Sequence, residues 1–127
     1  MMTEKKRVLV VDDEPHIVKL VKLSLGDKNY DIVGVTSGKE AISYVKDNTP
    51  DILVLDLMMP GVNGYEVCQS VRENPKTKGI PIIILSAKSQ MLDKLNAIDV
   101  GADDYMCKPF DPDELARRIK LNLSMVT

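Results

Sequence analysis

Asp12 and Asp13, Asp56, Ser86 and Lys108 are the residues whose types could do chemistry together, because each stands where a short apolar run gives way to polar sequence. The runs are "RVLVV" at 7 to 11, "DILVL" at 51 to 55, "IPIIIL" at 80 to 85 and "DYMCK" at 104 to 108. Three carboxylates held close repel one another, which raises the pKa of at least one unless a cation intervenes. Ligands that are all oxygen suit a hard divalent cation. Magnesium takes one or two carboxylates, several waters and a phosphate oxygen, so the set is suited to a phosphoryl group. A carboxylate can attack phosphorus to form an acyl phosphate, and Asp56 is the expected nucleophile. Lys108 and the metal would neutralise charge on the transferring group, and Ser86 could donate its hydroxyl to a phosphoryl oxygen. At roughly 4 Å and an effective dielectric near 20, each unit charge pair is worth about 4 kcal/mol, so both cations matter to such a site.

These residues meet only if the fold gathers the ends of the runs. A further β-branched run, "DIVGV", occupies 31 to 35. Apart from "DYMCK", a fifth candidate strand, the runs are continuously apolar rather than alternating, as in strands of a parallel sheet buried on both faces. Between them the period becomes helical: Ile17, Val21 and Leu25 keep one face, as do Ala41, Ile42 and Val45, then Val67 and Val71, then Leu95 and Ile98, and finally Leu115, Ile119 and Leu123. Pro15 and Pro112 suit first helical turns, and Gly26 and Gly101 suit helix ends. Strand and helix alternating five times predict right-handed crossovers and an open parallel sheet covered on both sides. Ligands of such sheets bind beyond the carboxyl ends of the strands. The polar residues above fall there.

The chain has 127 residues, which fits one domain, 1–127, with a core of its own. Hydrophobic residues make up 44% and charged residues 28%, which indicates neither disorder nor a membrane span. A net charge of -2 argues against nucleic acid as a direct partner. The apolar run in "MMTEKKRVLVVDDEP" is too short and too soon interrupted by aspartate for a signal peptide. Cys68 and Cys107 lie far apart without CxxC spacing, so neither zinc nor a disulfide framework is expected, and a cytoplasmic setting is.

Each residue taken alone has a plainer explanation. Asp12 and Asp13 could cap the helix that begins near Pro15, Asp56 and Ser86 could be turn residues, and Lys108 a solvated charge. Tyr105 could be a half-buried packing ring, and Met58 and Met59 fillers. His16 reads as a surface residue with no partner. Caps do not predict a carboxylate, a hydroxyl and a lysine at three other strand ends, and that combination favours the site.

The segments "VDDEP", "DLMMPGVNGYE", "ILSAK" and "GADDYMCKPF" resemble, in sequence and spacing, the receiver domain of two-component response regulators. The resemblance runs from about Arg7 to Leu123. It implies a doubly wound, flavodoxin-like (βα)5 fold with a five-stranded parallel sheet in the order 2-1-3-4-5. It makes Asp56 the phosphoacceptor and Asp13 a direct magnesium ligand, with Asp12 acting largely through water and the main-chain carbonyl of Met58 as a third protein ligand. Lys108 matches the phosphate-binding lysine, and Pro109 after it suggests a cis peptide. Ser86 and Tyr105 match a switch pair whose rearrangement remodels the face made by the fourth helix, fifth strand and fifth helix. Met58 and Lys88 match positions that affect dephosphorylation.

The expected donor is a phosphohistidine on a sensor histidine kinase or a phosphotransfer protein, docking near the first helix, where Leu20 and Leu23 could contribute. The domain would be no enzyme beyond catalysing its own phosphotransfer and dephosphorylation. "LDKLNAIDVGADDYMCKPFDPDELARRIK" is similar to the subfamily that includes winged-helix transcription factors. That similarity implies a phosphorylated homodimer whose intersubunit ion pairs join Lys94 to Glu114, Asp99 to Lys120 and Asp104 to Arg118. The chain ends at Thr127, just after the last predicted helix; this fits a single-domain regulator or one followed by a C-terminal output domain, and the subfamily favours the second. Two alternatives are an adaptor that works without phosphorylation and an aspartate-nucleophile phosphatase. The phosphatase would want an aspartate at position 58, which is Met58. A nucleotide-binding domain would want a Gly-, Ser- or Thr-rich loop where "DDEPH" stands.

Overall fold

The computed structural model describes residues 5–26, 28–57, 59, 61, 63–87 and 101–126. Strand β1 (Lys6–Val11) leads to α1 (Pro15–Leu25), β2 (Tyr30–Val35), α2 (Gly38–Asp47), β3 (Ile52–Asp56), α3 (Gly64–Glu73) and β4 (Ile82–Ala87). Strand β5 (Asp104–Lys108) and a C-terminal helix (Pro112–Ser124) follow. The expected helix around Leu95 and Ile98 lies outside the described residues.

All four strand pairings are parallel, and the sheet order is β2-β1-β3-β4-β5, as the resemblance implies. Strand β3 is buried over all five residues and β1 over its last four, which is why their sequences are continuously apolar. Alternate residues feed two cores. Leu9, Val11, Leu53, Leu55, Ile82 and Ile84 pack against Ala41 and Val45 of α2 and Val67, Cys68 and Val71 of α3. Val8, Val10, Ile52, Val54, Ile83 and Leu85 pack on the other side against Ile17 and Val21 of α1 and Leu115 and Ile119 of the C-terminal helix. Each fully buried aliphatic side chain contributes about 1.5–3 kcal/mol, so the two layers hold the strand ends in fixed register.

The helix starts are specified locally. Ser37 accepts a hydrogen bond from the Glu40 amide, Asn63 from the Glu66 amide and Asp111 from the Asp113 amide. Pro15 and Pro112 occupy first turns, and Gly26 and Gly101 have φ of 69° and 96°, in the left-handed region that favours glycine. Strand β4 begins two residues later than the sequence suggests, with Leu53 facing Ile82. Pro81 has no amide to donate and serves only as an acceptor, from the Leu53 amide at 3.0 Å. The strand also runs on to Ala87, so Ser86 is inside β4 rather than just after it.

Candidate functional site

The carboxyl end of β1 delivers Asp12, whose amide donates to the Val35 carbonyl at 3.2 Å and whose side chain is 1% exposed. Asp12 and Asp13 are not helix caps: the residue in the cap position of α1 is Glu14, which makes no side-chain capping bond. Asp12 Oδ1 instead accepts from the Glu14 amide at 3.0 Å, which aims the other oxygen inward. Asp13 is exposed beside it, and Asp56 closes β3 as a buried residue. Lys108, the last residue of β5, reaches across the sheet end. Its Nζ lies 2.7 Å from Asp12 Oδ2 and 3.2 Å from Asp56 Oδ2.

Burial works against the Lys108 ammonium, but its hydrogen bond to Asp12 and the charges of Asp56 and Asp12 outweigh that and hold its pKa above the usual lysine value. One oxygen each of Asp12, Asp13 and Asp56 lies within 4.8 Å of the others. These are hard donors at a spacing one cation could bridge. Three carboxylates and one ammonium leave a formal charge of minus two when all are ionised, which a divalent cation would cancel, so the donor set fits magnesium.

The loop after Asp56 is seated by α3. The Gly64 amide donates to the Leu57 carbonyl at 2.9 Å, and a Cβ on Gly64 would lie 2.5 Å from Leu57 Cα and 2.8 Å from the Asp56 carbonyl oxygen. No side chain larger than hydrogen fits there without displacement. Gly64 is the first residue of α3, and Gly61 in the loop has φ 76°. The Lys108–Pro109 peptide is cis, as expected. Met58 and Lys88 lie outside the described residues. For Ser86 the backbone alone is described, opposite Cys107 in the β4–β5 ladder. Tyr105 is half-buried on β5 and packs against the α2–α3 core.

Lys94 and Asp99 also lie outside the described residues, and Lys120 is exposed. Asp104 and Arg118, expected to pair between subunits, pair within the single chain, with Arg118 Nη1 2.6 Å from Asp104 Oδ1. Arg118 Nε also donates to Glu114 Oε1 at 2.9 Å, and Arg117 binds the other Glu114 oxygen. Hydrogen bonds to these two arginines hold the Glu114 carboxyl below its usual range. His16 is exposed but does have a neighbour, Glu14 Oε2 at 3.3 Å. Leu20 is half-buried, and Leu23 on α1 is 82% exposed. Cys68 is fully buried, and desolvation pushes its thiol up to about 12; Cys107 is exposed.

Asn122 and Arg72 are among the polar residues that escaped the sequence reading. Asn122 is buried and donates to Asp104 Oδ2 at 3.1 Å. Arg72 on α3 grips the turn that leads into β5. The signal for Arg72 was its place one residue beyond Val71 and four beyond Cys68, at the border of a buried stripe, where a guanidinium must find acceptors.

The fold and the site together define a doubly wound α/β protein with a carboxylate and lysine pocket at the carboxyl ends of β1, β3 and β5. The family model for the response regulator receiver domain matches residues 8–120. The chain belongs to that family. It is 43% identical over 117 residues to the response regulator ArlR of Staphylococcus saprophyticus, covering 92% of this chain and 52% of that one. It is 42% identical over 115 residues to the alkaline phosphatase synthesis transcriptional regulatory protein PhoP of Bacillus subtilis, covering 91% and 47%. The chain thus spans about half the length of these relatives. Among solved structures, the receiver domain of the sensor histidine kinase PA1611 from Pseudomonas aeruginosa PAO1, with a magnesium ion in its active site cleft, is 27% identical with a TM-score of 0.83, over 94% of this chain and 98% of that one. Among the described residues no helix is long and apolar enough to cross a membrane.

Proposed function

We propose that residues 1–127 form one receiver domain in which Asp56 accepts a phosphoryl group from a phosphohistidine on a sensor histidine kinase or phosphotransfer protein. The observation that carries this reading is Lys108 bridging the buried carboxylates Asp12 and Asp56 at 2.7 and 3.2 Å at the carboxyl ends of three strands. Asp12, Asp13, Asp56 and the Met58 carbonyl would hold magnesium, which when bound neutralises charge on the phosphoryl oxygens.

In the transfer, an Asp56 carboxylate oxygen forms a bond to phosphorus as the bond to the donor nitrogen breaks, so Asp56 acquires an acyl phosphate. Lys108 offers its ammonium to the added negative charge, and Ser86 offers its hydroxyl. Ser86 and Tyr105 then carry the change to the face that includes Asp104, Glu114, Arg118 and Lys120. The phosphoryl group favours the active arrangement by its differential contacts there. Moving a balance from 1:99 to 99:1 takes about 5.5 kcal/mol, within reach of a few charge-assisted contacts.

The domain acts on itself alone, as a cytoplasmic switch. Leu20 and Leu23 belong to the surface offered to the donor, and the phosphorylated chain forms a homodimer that serves a C-terminal output domain of the kind found in transcription regulators. Intact mass after incubation with acetyl phosphate tests the centre of this reading. A single phosphoryl adduct is expected that disappears with a chelator and in Asp56→Asn. A folded protein that gives no adduct, from acetyl phosphate or from a phosphorylated kinase, would leave the adaptor reading in its place.

A further inference from the structure

Strand β5 carries both Tyr105 and Lys108, yet it is an edge strand, hydrogen-bonded to β4 alone. One ladder is a weak constraint on where a strand's residues stand, and edges are where registers slip. The entry to β5 is held from both faces of the sheet. On the C-terminal helix, Arg118 and Asn122 bind the two oxygens of Asp104 at 2.6 and 3.1 Å. On the opposite face, Arg72 of α3 binds Asp103 Oδ2 at 2.8 Å, and the same carboxylate oxygen accepts the Ile82 amide of β4 at 2.8 Å.

Arg72 does more than pair with Asp103. Its Nε and Nη2 donate to the Gly101 carbonyl at 3.0 and 2.5 Å, and its Nη1 donates to the Lys78 and Ile80 carbonyls at 2.8 and 2.6 Å. One planar guanidinium thus ties the start of β4 to the start of β5, a fork geometry that an ammonium cannot reproduce. Gly101 complements it, since a Cβ there would lie 3.0 Å from Arg72 Nε. The same helix, α3, begins at Gly64 against the Asp56 carbonyl. Its two ends therefore touch the acceptor loop and the entry of the strand that carries Lys108.

We infer that Arg72 is a positioning residue for the phosphoacceptor site: by fixing the entry of β5 relative to α3 and β4, it sets where Lys108 and Tyr105 stand relative to Asp56. The inference rests on the reading of Asp56 as the acceptor. It assigns Arg72 no contact with the phosphoryl group. It also gives the two clamps different fates. Arg118 sits on the face proposed for dimerisation and is free to exchange partners, whereas Arg72 keeps the strand entry in place when it does.

The test measures the rate of Asp56 phosphorylation by acetyl phosphate in saturating magnesium, and the rate of loss of the adduct, for the native chain, Arg72→Gln, Arg72→Lys and Asp51→Ala. Asp51 is the control, because its carboxylate accepts the Arg7 amide at 2.7 Å near the opposite end of the sheet. Its loss lowers stability without touching β5. A small displacement of a catalytic group by a remote change costs up to about a hundredfold in rate, and a change of about fivefold or more in either rate is expected for Arg72→Gln. Arg72→Lys is expected to fail to restore it, and Asp51→Ala to stay at native rates with a lowered melting temperature. Arg72 variants that match Asp51→Ala, less stable but with native rates, would overturn the inference. If Arg72→Gln does not fold, Arg72→Lys decides by the same comparison. A native chain that takes no phosphoryl group refutes the acceptor reading instead.

Discussion

Lys108 is where the physics of the site is most exposed. Its ammonium already serves as counter-ion to Asp12 and Asp56, so a dication entering among the three carboxylates shares their charge with a resident cation. The like charges would repel, which would weaken metal binding and at the same time loosen the hold of Lys108 on Asp12 by the same free energy. The lysine would then be readier to turn to an incoming phosphoryl group. Replacing it leaves the carboxylates' full charge to the metal. Lys108→Met is expected to bind magnesium about tenfold more tightly or better, because a unit charge at this range is worth up to about 4 kcal/mol at an effective dielectric near 20. The same variant is expected to accept phosphoryl groups poorly. Calorimetric titration with magnesium chloride checks the first statement, and unchanged or weaker binding in a folded variant would refute the antagonism.

Elements decide how precisely those side chains are placed, and α3 meets the end of β3 backbone against backbone. Gly64 has no room for a Cβ between Leu57 Cα and the Asp56 carbonyl, and both obstacles are backbone. Gly64→Ala is expected to cost about 1–3 kcal/mol, by overpacking, and to slow phosphorylation as the acceptor loop shifts. Urea unfolding and acetyl phosphate kinetics measured together check this, and native values for both would show that α3 can move away without consequence. This junction also marks what the sequence could and could not disclose. Strands β1, β3 and β4 were legible because double burial leaves continuous apolar runs, and Asp12, Asp13, Asp56 and Lys108 because they stand at the same end of their strands. The start of β4 was misplaced by two residues because Ile80 is as buried as a strand residue while Pro81 cannot join the ladder. Gly64 was visible as a glycine, but its reason lies in a helix crossing that no local pattern encodes. Arg72 was hidden for a related cause: its acceptors at Gly101 and Asp103 lie 29 and 31 residues away in sequence and meet it only after the sheet has formed.

At the scale of the whole molecule, the proposed dimer must be reconciled with ion pairs that the single chain already makes. Arg118 holds Asp104 and Glu114 of its own chain at 2.6 and 2.9 Å. A pair formed between subunits by Asp104 and Arg118 replaces one formed within a subunit, so its net contribution is a difference between similar terms. Exposed pairs are worth only about 0–1 kcal/mol to begin with. The charges on this face therefore select which surfaces meet and in what orientation, while affinity has to come from apolar area. Leu121 and Met125 would supply it in the proposed dimer: they are 57% and 71% exposed and line the same groove as Asp104, Glu114 and Arg118. Burying a leucine side chain fully is worth about 1.5–3 kcal/mol. Leu121→Ser is accordingly expected to weaken the phosphorylated dimer by about tenfold or more. Raising salt from about 0.05 to about 0.5 M is expected to change its dissociation constant by less than about threefold, because screening acts on exchanged pairs in monomer and dimer alike. Sedimentation equilibrium of the phosphorylated chain and of Leu121→Ser reads both. A steep salt dependence with an innocuous Leu121→Ser would mean that the ion pairs are gained rather than exchanged, and that Arg118 is not held by Asp104 before the subunits meet.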